Sequence, residues 1–310
     1  MSAVEQLSAE ATTALIPASV RLGLAPASDL PAAQAFTRQL THGHYENFSV
    51  VSWFVPQRLR QDFCNIYAFC RIADDAGDEM PDSRTALAVL GDMKRQTRAC
   101  FAGDSQVAVF VALADTIRRH DLPPEPFLDL IDAFEQDQSI TRYHNYEQLL
   151  EYCRRSANPV GRLVLYLCGC RDEERQRLSD MTCTGLQLIN FWQDVRRDIL
   201  DRDRIYIPKE DLARFYVSEE QIRQGQCDDN YRELIRFEVD RTEKLFDAGD
   251  ALRPMLPPEF RKQIALFSRG GRAILEAIQR QNYDTLTARP FLSRWQKGRL
   301  AFGLLVGGVA

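Results

Sequence analysis

Between about Asp180 and Leu200, the residues Leu186, Leu188, Ile189, Phe191 and Trp192 make a helix apolar on most of its sides, which marks it as buried. Gln187, Asn190, Asp194 and Asp198 nevertheless follow one another by three, four and four residues and form one polar stripe along that helix. Carboxylates buried without partners are strongly unfavourable. The stripe therefore has to line something polar, and a chain built around it encloses a ligand site.

A second helix, about Leu59 to Glu79, repeats the pattern. Phe63, Tyr67 and Cys70 are spaced by four and three and define an inward stripe that continues to Asp74 and Asp78. At about 100° per residue both carboxylates fall within roughly 60° of the line through Phe63. Asp75 and Glu79 sit beside them, so four acids crowd the last turn before Pro81, against the helix dipole, and a cation is required there. One Asp pair four apart is ordinarily a solvated face or the partner of a nearby Arg. Two acidic stripes on apolar helices are not expected of an undirected core, because like charges at this spacing repel. Donor sets of carboxylate with Asn and Gln suit Mg2+, which keeps water and bridges to phosphate oxygens. A diiron bundle needs Glu-x-x-His, and none of His42, His44, His120 or His144 has Glu three residues before it. Cys168-Gly-Cys170 is a lone pair, which argues against zinc.

The chain has 310 residues, 45% apolar and 27% charged, the balance of a soluble globular protein. From Leu30 onward apolar residues recur at helical spacing, punctuated by Pro56, Pro81, Pro123-Pro124, Pro208 and Pro257-Pro258, while only short runs such as Phe48 to Val55 look strand-like. No repeat and no linker divides the body. The expectation is one all-α domain of about ten helices over residues 31–310, preceded by a mobile arm over residues 1–30. The charged Asp201 to Arg204, followed by Ile205-Tyr206-Ile207-Pro208, reads as a flap, and Pro159 should kink its helix. With 39 basic and 44 acidic residues, a net charge of -5, there is no broad footprint for nucleic acid. No apolar run approaches the ~20 residues of a membrane span. Glu5, Glu10 and Arg21 interrupt any signal-like start, so a cytoplasmic chain with its eight cysteines reduced is expected. Arg294, Lys297 and Arg299 before an apolar tail suit peripheral contact with a membrane surface, the alternative being a buried last helix.

From about Phe36 to Leu292 the sequence resembles the squalene and phytoene synthase family. The residues that carry the resemblance are His44-Tyr-Glu-Asn-Phe48, Tyr67 through Arg71 and Asp74 to Asp78-Glu79, Tyr152 through Ser156 to Gly161, and Gln187 through Asn190 and Asp194 to Asp198. Ser156-Ala-Asn-Pro-Val-Gly161 and His44 to Phe48 look most like bacterial hydroxysqualene synthases of hopanoid pathways. The resemblance implies an isoprenoid synthase fold around a central cavity, and Mg2+-dependent conversion of presqualene diphosphate and water to hydroxysqualene and diphosphate. It implies Mg2+ held by Asp74 and Asp78 on one wall and by Asn190, Asp194 and Asp198 on the opposite wall. It also implies diphosphate contacts from Arg71, Arg204 and Tyr206, a cation-stabilising Tyr152, and a prenyl cavity lined by Phe48 and Gln187. By the same likeness the partners are a prenyl diphosphate and neighbouring squalene-pathway enzymes. Formation of presqualene diphosphate, squalene or phytoene is the alternative within the family, and a non-catalytic assembly or lipid-binding relative lies outside it. Many relatives carry Arg where this chain has Gln193 and an aromatic residue where it has Gly271, and Arg289 follows Tyr283 with one residue more than in some relatives, which leaves its contact with substrate open.

Overall fold

Among the described residues, six helices begin at a side chain that accepts a backbone N–H from the third residue on: Asp29 from Ala32, Asp82 from Thr85, Asn145 from Gln148, Asp172 from Arg175, Ser218 from Gln221 and Asp228 from Tyr231. The computed structural model describes residues 16–43 and 55–292. Among these residues the chain is all-α, and its β pairing consists of the isolated bridges Pro26 to Val107 and Arg142 to Ile205. Packing divides it into two compact units that meet in sequence between Ser139 and Ile140.

The first unit holds α1 (Ala18–Gly23), α2 (Leu30–Gly43), α3 (Arg60–Asp78), α4 (Ser83–Ala102), α5 (Ala108–His120) and α6 (Glu125–Gln136). Its core is centred on Phe69, which meets Phe110 and Phe127 edge to face at 5.9 and 5.1 Å. A buried polar chain fixes α3 against α5. Asn65 donates to the Ala112 carbonyl and to Thr116, Thr116 donates to Asp62, and Arg119 closes the chain on Asp62 at 2.6 Å. Part of the segment expected to be a mobile arm is ordered: Val20 of α1 is buried, and Gly23 packs so closely on Ile72 that a Cβ would lie 2.2 Å from its Cδ1. Six residues are too few to display a helical period, which is why this helix escapes a periodicity reading.

The second unit holds α7 (Tyr146–Ser156), α8 (Asn158–Leu167), α9 (Glu173–Arg202), α10 (Lys209–Arg214), α11 (Glu219–Gln224), α12 (Asp229–Gly249), α13 (Leu252–Met255) and α14 (Arg261–Arg280). The 30-residue α9 is its spine, with α12, α8 and α14 packed along it. Trp192 on α9 is fully buried and donates to Thr242 of α12 at 2.9 Å. At Pro159 the expected kink is a full break. Ala157 leaves helical geometry at φ -122°, and Pro159 occupies the first turn of a new helix, where its missing N–H costs nothing. Asn158 accepts from Thr184 at 3.0 Å and ties the break to α9.

The space beside Gly271 is filled by Phe246 of α12, whose ring would lie 2.4 Å from a Cβ at position 271 and 3.1 Å from one at 185. Gly271→Ala should therefore destabilise the fold by about 1–3 kcal/mol through overpacking. An unchanged thermal unfolding midpoint would mean that the Phe246 ring can yield.

Candidate active site

In the first unit the cation demanded by the acidic end of α3 comes from the same helix. The Arg71 guanidinium contacts Asp75 and lies 3.6 Å from Asp74 and 3.7 Å from Glu79. Burial opposes its charge, but the Asp75 hydrogen bond and the carboxylate charges outweigh it and raise its pKa. Asp75 is the deeply buried acid, 2% exposed, and also accepts from Ser19 of α1. Asp74 and Asp78 are only half-buried. The core face of α3 is Ile66, Phe69, Ile72, Ala73 and Ala76, so the stripe of Phe63, Tyr67, Cys70, Asp74 and Asp78 forms a flanking, partly accessible face rather than the inward one expected. Burial, followed by the charge of Asp74, pushes the Cys70 thiol up to about 12, and none of the eight cysteines is in a disulfide. Behind Arg71 a cavity of about 450 Å³ has an apolar wall of Leu22, Phe36 and Leu40 and a polar end of Arg71, Asp75 and Glu79.

In the second unit the polar stripe of α9 is the open side of an otherwise buried helix: Asn190 is exposed, and Gln187, Asp194 and Asp198 are half-buried. Arg289 grips Asp194 in a two-pronged pair at 2.6 and 2.8 Å. The Asp194 hydrogen bond, outweighing burial and helped by the charge of Asp198, raises the pKa of Arg289. Gln193 is buried and donates to the Pro290 carbonyl at 2.7 Å, while Arg196 donates to that of Leu286 at 3.4 Å. Gln193 thus secures the segment that delivers the Arg289 guanidinium.

Tyr152 and Tyr206 meet in an aromatic cluster whose other members are Phe191, read in the sequence only as part of an apolar helix, and Tyr143, which the sequence did not single out. Tyr206 stacks on Phe191 at 3.7 Å and 6°, and Tyr152 lies 5.5 Å from Tyr143, 5.8 Å from Tyr206 and 6.1 Å from Phe191. Phe191 follows Asn190 directly, which places the cluster alongside the stripe.

The segment read as a flap is a fastened return. Ile205 and Ile207 are buried, Arg204 is 7% exposed and Tyr206 8%, and backbone N–H groups of Arg204, Ile205 and Lys209 donate to Asp198, Thr141 and Tyr143. Asp203 turns the chain in left-handed geometry at φ 48°, and its carboxylate is held by Arg142 at 3.0 Å and Arg223 at 2.8 Å. These two arginines hold the Asp203 carboxyl below the usual carboxylate range. Phe48 lies outside the described residues, as do Arg294, Lys297 and Arg299.

Among the described residues no three His, Cys, Asp or Glu side chains converge as a closed metal cage. What each unit offers is an oxygen-only pair, Asp74 with Asp78 and Asp194 with Asp198, the latter beside Asn190. Such pairs fit Mg2+, which completes its shell with water and substrate phosphate oxygens. No helix among the described residues is long and apolar enough to cross a membrane.

Residues 41–296 match the model of the Squalene/phytoene synthase family, and the chain belongs to that family. Its class is that of enzymes performing head-to-head prenyl transfer on prenyl diphosphates with a divalent metal, on the isoprenoid synthase fold. Among particular relatives, it is 30% identical over 295 residues to the phytoene synthase of Arthrospira platensis, covering 90% of this chain and 95% of the relative. To the hydroxysqualene synthase of Sinorhizobium fredii it is 33% identical over 214 residues, 67% of this chain and 70% of the relative. The crystal structure of squalene synthase HpnC from Alicyclobacillus acidocaldarius superposes with a TM-score of 0.78 at 44% identity, covering 88% of this chain and 99% of that one.

Proposed function

We propose that this chain, with residues 31–310 as its catalytic body, converts presqualene diphosphate and water to hydroxysqualene and diphosphate. The observation that carries the reading is the carboxylate stripe of α9 running beside the cluster of Tyr143, Tyr152, Phe191 and Tyr206. That pairing would supply ligands for a divalent metal bound with a diphosphate, and π faces for a carbocation. Asp74 and Asp78 in one unit, and Asn190, Asp194 and Asp198 in the other, are the residues that would hold Mg2+. Bound there, the metal supplies charge neutralisation as the carbon–oxygen bond ionises. Arg71, Arg204 and Tyr206 are assigned to the diphosphate, Tyr152 to the cation, and Gln187 and Phe48 to the prenyl cavity. The 44% identity to a squalene synthase supports the squalene branch over the carotenoid one. The near full-length match to phytoene synthase favours a second reading, C40 phytoene formation. We place the enzyme in the cytoplasm beside other squalene-pathway enzymes, with peripheral membrane contact through Arg294, Lys297 and Arg299 where a lipid product departs.

The test supplies presqualene diphosphate and Mg2+ without nicotinamide in 18O water. Hydroxysqualene carrying 18O, read by mass spectrometry, is expected. Phytoene from geranylgeranyl diphosphate, or squalene formed only with reductant, would replace the proposal by that reaction.

A further inference from the structure

We propose that Ser156 is the residue that fixes the terminating water, and that its hydroxyl decides between an alcohol and a hydrocarbon product; the assignment rests on the reaction proposed above. Ser156 is the last residue of α7, one turn beyond Tyr152, so at about 100° per residue the two side chains lie within roughly 40° of one another on one helix face. Its Oγ is buried and has no hydrogen-bond partner in the protein. A buried hydroxyl left unpaired costs about 1–3 kcal/mol, so such a group in a native fold calls for a partner from outside the chain, a bound water or ligand, or for a catalytic role. The reason the group sits there is local. The helix ends at Ala157 because Pro159 begins α8, so Ser156 stands at a break instead of pointing into a continuous helical surface. The break is held in place by the Asn158–Thr184 hydrogen bond, and Thr184 is one turn before Gln187 of the polar stripe. The chain therefore carries a buried hydroxyl one helical turn beyond Tyr152, on the same face, and Tyr152 is flanked by the rings of Tyr143, Phe191 and Tyr206.

The chemistry needs a polar anchor. When the carbon–oxygen bond to diphosphate breaks, both electrons leave with the diphosphate oxygen, and the carbon skeleton rearranges as a cation. A water oxygen then forms the new carbon–oxygen bond with a lone pair, and its surplus proton passes to the departing diphosphate, the base that the reaction itself supplies. Against an apolar wall a single water has too few partners to stay, since buried waters make about three hydrogen bonds. Ser156 Oγ accepts one hydrogen of that water and holds its lone pair toward the cation. Without the anchor the cation loses a proton to the same diphosphate, and a hydrocarbon forms.

The experiment compares wild type, Ser156→Ala and Ser156→Thr on presqualene diphosphate with Mg2+ in 18O water, reading diphosphate release and the labelled alcohol share of the product. Ser156→Ala should release diphosphate within about threefold of wild type while its alcohol-to-hydrocarbon ratio falls at least tenfold. Ser156→Thr, which restores a hydroxyl, should return most of the alcohol. Diphosphate release reports that each variant is folded and ionising substrate; a variant that releases none while Ser156→Thr is fully active would make Ser156 structural and overturn the assignment. An undiminished alcohol share in Ser156→Ala overturns the role of Ser156 alone. Wild type that makes no alcohol overturns the proposed reaction and this assignment with it.

Discussion

Asp194→Asn is expected to lower turnover by about three orders of magnitude or more, the equivalent of about 4 kcal/mol of lost transition-state stabilisation. The substitution is isosteric, so what disappears is a negative charge on the open side of α9 and, with it, affinity for the metal. The structure adds a detail to this expectation. Arg289 is bonded to both oxygens of Asp194, and an amide offers it only one acceptor. Half of the Arg289 side chain is in water, so breaking this pair should move the melting temperature by no more than a few degrees. Asp74→Asn should show the same split between activity and stability. The measurements are steady-state diphosphate release, Mn2+ binding by electron paramagnetic resonance, and thermal unfolding. Wild-type turnover in either variant would remove that aspartate from the site.

Tyr152→Ala should lose both product fidelity and stability. The ring is 3% exposed and packed among Tyr143, Phe191 and Tyr206, so its deletion opens a cavity worth about 3–5 kcal/mol. The same deletion removes the π face proposed to stabilise the cation, so ionisation should slow or release misrouted products. Tyr152→Phe keeps the ring and should keep most of the ionisation rate. If product distribution and rate survive in both variants, Tyr152 is only a packing residue.

The two acidic helices were legible because each carries a long, strongly periodic pattern. The helix foreseen from about Leu59 to Glu79 is Arg60–Asp78, and the one from about Asp180 to Leu200 begins earlier, at Glu173, because Asp172 caps it. Which face of α3 is deepest was not legible. Both Phe63–Tyr67–Cys70 and Ile66–Phe69–Ala73 are apolar at helical spacing, and the packing of α1, α2, α4, α5 and α6 around α3 selects the second. The return after α9 was misread because four charged residues suggest solvent, whereas the buried Ile205 and Ile207 and the bonds to Thr141 and Tyr143 fasten it. The aromatic cluster draws on four separate stretches of chain. Tyr143 comes from a segment with no period at all, so only long-range packing reveals its place. The partner of Arg289, left open by its spacing from Tyr283, is Asp194, and Gln193 anchors the neighbouring Pro290 ninety-seven residues away.

The parallel contact between Phe191 and Tyr206 limits what that cluster can offer a positive charge. Two rings lying 3.7 Å apart and 6° from parallel hide one face each, and Tyr206 is also stacked with Tyr143 at 5.8 Å and 22°, so the pair presents fewer open faces than separate rings would. A cation lying against this pair meets the electron-rich side of a single ring, with the second ring behind it. The Tyr206 hydroxyl, at the rim of its ring, is untouched by this shielding, and an aromatic residue that has surrendered a face keeps its edge for oxygen chemistry.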